Sequence, residues 1–100
     1  MKLINVIKLD DCFDGSVIFK YCFDAAIDEA MMRKLAENGK LQYFPEFLKP
    51  FFKIITCDGV QLKGIIRDYD FEVLFPFTNK QKKKENFDTL LSQLVQNVMN

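Results

Sequence analysis

Alternation of apolar and polar positions opens the chain. KLINVIKL (2–9) is rich in Leu, Ile and Val and predicts a strand, with Lys2 and Lys8 near its ends. DDCFDG (10–15) is turn chemistry, because aspartates bond their own backbone and Gly15 permits positive φ. SVIFKYCF (16–23) predicts a second strand, with Val17, Phe19, Tyr21 and Phe23 on one face and Lys20 on the other. An antiparallel hairpin is the simplest pairing of the two.

The period then lengthens to that of a helix. Asp24 is a suitable N-cap for AAIDEAMMRKLAENG, in which Ile27, Ala30, Met31, Lys34 and Leu35 fall on one face. Asp28 and Glu29 early, with Arg33 and Lys34 late, suit the helix dipole, and Gly39 is the expected stop. YFPEFLKPFF (43–52) follows, aromatic residues around two prolines, read as a connector back to the sheet. In FFKIITCDGVQLKGII the Asp58-Gly59 pair predicts a two-residue hairpin turn, with Cys57 opposite Val60, Ile55 opposite Leu62 and Lys53 opposite Gly64. RDYD (67–70) makes another turn. FEVLFPF (71–77) is a last strand placed at a sheet edge, with Phe71, Val73, Phe75 and Phe77 on one face and Pro76 near its end.

ENFDTLLSQLVQNVMN closes the chain with a stripe of Phe87, Leu90, Leu91, Leu94, Val95 and Val98. A start at Thr78 with Gln81 completing a capping box would set Lys80, Lys82, Lys83 and Lys84 at the positive end of the helix dipole. A basic loop and a helix from about residue 86 is therefore expected. The order β-β-α-β-β-β-α in one domain, 1–100, predicts an α+β two-layer sandwich. Its antiparallel sheet of about five strands would carry both helices on one face.

Composition adds exclusions. Fourteen basic residues balance fourteen acidic ones, so the basic excess of a nonspecific nucleic-acid binder is missing. With no histidine, the commonest general base and transition-metal ligand is absent from the chain. Cys12, Cys22 and Cys57 show no metal-ligand spacing and no even-numbered disulfide framework, which favours a reducing cytosol. No run is long enough for a membrane helix, and the N-terminus lacks the apolar core of a signal peptide. No cofactor motif is present.

Candidate chemistry is correspondingly thin. The rings at 43–52 either finish the core or face a partner; burial is weighted first, and Phe44, Phe47 and Phe51 are the candidate partner-binding residues, together with strand 71–77. The lysine-rich loop, Lys80, Lys82, Lys83 and Lys84, is the candidate anion site, without an arginine fork or glycine cradle. Asp10, Asp11 and Asp14 miss the calcium-loop pattern and read as turn formers. Asp58 and Glu72 are carboxylates that nothing singles out for catalysis. Cys22 and Cys57 read as small hydrophobes of apolar strands. The expected function is a small cytosolic, non-catalytic binding or accessory module acting through a protein partner or self-association. The alternative is a small-ligand or nucleic-acid module built on the lysines.

Overall fold

A computed structural model describes residues 1–37 and 39–97. The elements are β1 (Lys2–Asp11), β2 (Val17–Phe23), α1 (Glu29–Leu35), β3 (Gly39–Phe44), β4 (Phe51–Thr56), β5 (Gln61–Ile65), β6 (Asp70–Phe75), α2 (Lys80–Leu94) and β7 (Gln96–Asn97). The fold is α+β. Six antiparallel strands and a short parallel seventh form one sheet in the order β3-β4-β5-β6-β2-β1-β7.

The core lies between one sheet face and the two helices. Val17, Tyr21 and Phe23 of β2, Phe52 and Ile54 of β4, Leu62 of β5, and Phe71, Val73 and Phe75 of β6 point into it. Met31, Met32 and Leu35 of α1 and Phe87 and Leu91 of α2 close it from above. Phe87 is central: its ring meets Tyr21 edge-on at 5.3 Å, Phe75 at 5.9 Å and Phe71 at 6.3 Å between centroids. Burying such a ring stabilises by about 1.5–3 kcal/mol, and edge-to-face pairs each add about 0.5–1.5 kcal/mol.

The expected strand 71–77 is corrected in position. Residues 70–75 form β6, which lies between β5 and β2 in the middle of the sheet, so it offers no free edge. Both edges of β6 are hydrogen-bonded, to β2 and to β5, and the alternation of Phe71, Val73 and Phe75 suits either location. Phe77 falls beyond the strand and is exposed, packing beside Gly15 of the β1–β2 turn.

The first helix starts later than Asp24. Segment 24–27 is held by long-range backbone bonds instead: Asp24 N–H donates to Lys2 O, Ile27 N–H to Asp68 O, and Arg67 N–H to Ile27 O. Asp28 is the N-cap, its Oδ1 accepting from Met31 N–H at 2.8 Å. The buried face is Met31, Met32 and Leu35, while Ala30 and Lys34 are exposed. The C-cap is Ala36, and Gly39 begins a strand rather than ending the helix.

The second helix starts earlier than residue 86. Asn79 occupies the N-cap position in a left-handed conformation (φ 54°) without a side-chain cap bond, and the lysine run forms the first turns. Lys, Gln and Glu are good helix formers. A charge at a helix end is worth only about 0.3–1 kcal/mol, and partners described below offset the unfavourable sign. Val98, expected on the apolar stripe, lies outside the described residues.

The Asp58-Gly59 hairpin forms with its register moved by one residue: Ile54 faces Leu62 and Ile55 faces Gln61. Thr56 N–H donates to Val60 O, leaving a three-residue loop, Cys57–Gly59, with Gly59 at φ 88°. This is the type I turn plus left-handed glycine that is the next commonest hairpin connection. Cys57 is consequently exposed in the loop and not buried in a strand.

Candidate functional site

The aromatic-proline stretch is a hairpin. β3 was not expected, although Leu41 and Tyr43 alternate with Lys40, Gln42 and Phe44 in strand fashion. Tyr43 pairs with Phe52 and Phe44 with Phe51, and Pro45 and Pro50 bound the loop between the strands. Proline suits these positions because it cannot donate to the ladder and its φ is fixed.

Alternation divides the rings between the two sheet faces. Tyr43 and Phe52 face the helices; the Tyr43 hydroxyl donates to Glu29 Oε1 at 2.8 Å, and Phe52 is fully buried. Phe44 and Phe51 face the other way. Phe47 folds back from the loop onto Phe44, with centroids 5.1 Å apart and planes 13° from parallel, and Phe44 stacks on Phe51 at 6.1 Å and 24°. The three rings named from the sequence thus form one stack at a corner of the outer sheet face. Phe47 is 52% exposed, and Leu48 beside it at the loop tip is wholly exposed. Leu48 carries no sequence signal of its own; only the loop geometry displays it.

The stack continues into a mixed surface. A shallow cleft of about 160 Å³ runs from Phe51 past Lys63, Ile65, Asp70 and Glu72. The next row across the sheet pairs Gln42 with Lys53, Lys53 with Lys63, Lys63 with Glu72, and Glu72 with Lys20. Cys22 lies opposite Asp70 on this face, and burial together with the Asp70 charge pushes its thiol up, away from the reactive thiolate.

The four lysines of the expected anion site do not converge. Lys80 Nζ donates to Gly15 O at 3.1 Å. Lys84 Nζ bonds Asp88 Oδ2 at 2.8 Å and sits 4.9 Å from the Phe19 ring centroid. Lys82 points to solvent, and Lys83 lines a different cleft with Cys57, Val60 and Leu90. Lys80 and Lys84 line one cleft with Phe19 while Lys83 lines another, and both Lys80 and Lys84 have protein partners.

The remaining carboxylates serve the fold. Asp14 Oδ1 accepts from Ser16 Oγ at 2.6 Å and from Ser16 N–H at 3.0 Å, which holds its carboxyl below the usual range. Asp88 accepts the buried Tyr21 hydroxyl at 2.6 Å. Asp58 bonds the Thr56 hydroxyl in its own turn, and Glu72 is exposed in mid-sheet. Among the described residues no group of three or more His, Cys, Asp or Glu could hold a metal ion, and no helix is long and apolar enough to cross a membrane. No family model, curated protein or solved structure matches the chain.

Proposed function

We propose that this protein is a small non-catalytic binding module that engages a protein partner through the corner stack of Phe44, Phe47 and Phe51, with Leu48 at its rim. The observation that carries this reading is a stacked trio of rings outside the core. Phe47 remains half-exposed while stacked on Phe44. Two rings held in paired strands and a third stacked on them from a loop bounded by prolines have little freedom left to lose on association, which favours binding by preorganisation. Aromatic side chains are also the residues that dominate interface energetics. The compartment we assign is the reducing cytosol, in keeping with three free cysteines.

The test compares wild type, Phe47→Asp and the control Leu9→Asp as tagged baits in the native host, with folding checked by far-UV circular dichroism. Leu9 is similarly exposed, 44%, but lies on β1. A partner lost with Phe47→Asp and retained with Leu9→Asp supports the reading. Identical sets of bound proteins for all three, or an unfolded Phe47→Asp variant, sinks it.

A further inference from the structure

The two edges of the sheet differ. β1 carries two bulges in its pairing with β2, at Ile4 and Leu9, where one extra residue stands between successive partners. Its first residues are also covered by β7. Bulges twist an edge away from regular pairing and protect it. β3, at the other edge, pairs with β4 over six consecutive residues without a bulge, contains no proline, and has no strand on its outer side among the described residues.

The hydrogen-bond phase of that edge can be read from its neighbours. Thr56 N–H to Val60 O and Ile66 N–H to Pro50 O bracket the β4–β5 ladder, so even-numbered β4 residues bond β5 and odd-numbered ones bond β3. Their β3 partners are Lys40, Gln42 and Phe44. Leu41 and Tyr43 therefore turn their N–H and C=O groups outward, and no described residue bonds them.

We propose that this edge pairs with β3 of a second copy, antiparallel about Gln42, so that one sheet runs through two chains. A two-fold axis normal to the sheet keeps each face continuous, so only registers matching like faces are allowed. Centring on Gln42 sets Leu41 against Tyr43 of the other copy, twice, and fills all four free N–H and C=O groups. It sets Lys40 over Phe44 of the other copy, a cation-on-ring contact, and places neutral Gln42 side chains together at the axis. Centring on Lys40 would oppose two ammonium groups. Centring on Leu41 would need the Gly39 N–H, which already donates to Ala36 O at 3.1 Å. Centring on Tyr43 pairs little more than half the strand. The proposed pairing touches the corner stack only where Lys40 meets Phe44 of the other copy, and Gln42, the position tested, is not part of that stack.

Sedimentation velocity in reducing buffer, over a dilution series from millimolar to micromolar, provides the test. Wild type should rise from 11.7 kDa toward twice that mass with concentration. Gln42→Glu gains Lys53 as a cross-strand partner within its own chain, so it folds, yet it opposes two carboxylates at the axis. Its dissociation constant should rise by about a hundredfold or more, as should that of Gln42→Lys. An equimolar mixture of the two variants should recover the dimer. A wild type that stays monomeric at millimolar concentration overturns the proposal. So does a Gln42→Glu protein that dimerises normally, or a mixture of folded variants that fails to recover.

Discussion

Replacing Gly64 by alanine probes how tightly the sheet packs beneath the helices. Gly64 lies between Phe52 on β4 and Phe71 on β6. A Cβ there would stand 2.6 Å from Phe52 Cζ, 2.8 Å from Phe52 Cε1 and 3.1 Å from Phe71 Cβ. These rings are 0% and 1% exposed, so Phe52 has no solvent-facing rotamer into which to retreat. Overpacking of this kind costs about 1–3 kcal/mol, while removing a glycine from a strand returns about 0.5–1 kcal/mol. The expected net loss is about 1–2 kcal/mol, a fall in Tm of roughly 5–15 °C for a domain of this size. Urea unfolding followed by far-UV circular dichroism measures it. The contact involves the far end of the Phe52 ring, so in a Phe52→Leu background the same substitution should cost about 1 kcal/mol less. A neutral or stabilising Gly64→Ala, as propensity alone would give, refutes the reasoning; so does strict additivity with Phe52→Leu.

Other outcomes follow from the polar contacts. Tyr21→Phe removes the buried hydroxyl bond to Asp88 and should cost about 1–2 kcal/mol. Burial first, then the Asp88 bond and charge, push the Tyr21 phenol far above its ordinary 10.0, so the folded state keeps a proton that the unfolded state loses. Stability should therefore fall as pH rises through about 10, and Tyr21→Phe should flatten that limb; urea midpoints from neutral to alkaline pH check this, and an unchanged slope counts against it. A residual slope is expected from Tyr43, raised by its bond to Glu29, and from Cys22, raised by burial. Asp28→Ala should cost about 0.5–2 kcal/mol as a lost N-cap and speed hydrogen exchange at Met31 N–H; an unchanged Met31 rate would place the helix start elsewhere.

Much of this architecture follows from local pattern. The alternation in β2 and β6, the helical stripe through Phe87, Leu91 and Val95, and the Asp-Gly turn each mark their element from neighbouring residues, because side-chain direction repeats every two residues in a strand and every 3.6 in a helix. The three stacked rings were also legible as a group, since Phe44 and Phe51 directly flank the two prolines and Phe47 lies between them. What the chain could not settle locally was anything dependent on a distant partner. Segment 24–27 stays non-helical because Lys2, Arg67 and Asp68 hold it, and α2 begins at Lys80 because Gly15 and Phe19 receive its lysines. Strand position is non-local in the same way: FEVLF reads alike in an interior or an edge strand, and only pairing with both β2 and β5 makes β6 central. That pairing leaves β3, with its short alternation of Leu41 and Tyr43, as the regular open edge beside the aromatic corner.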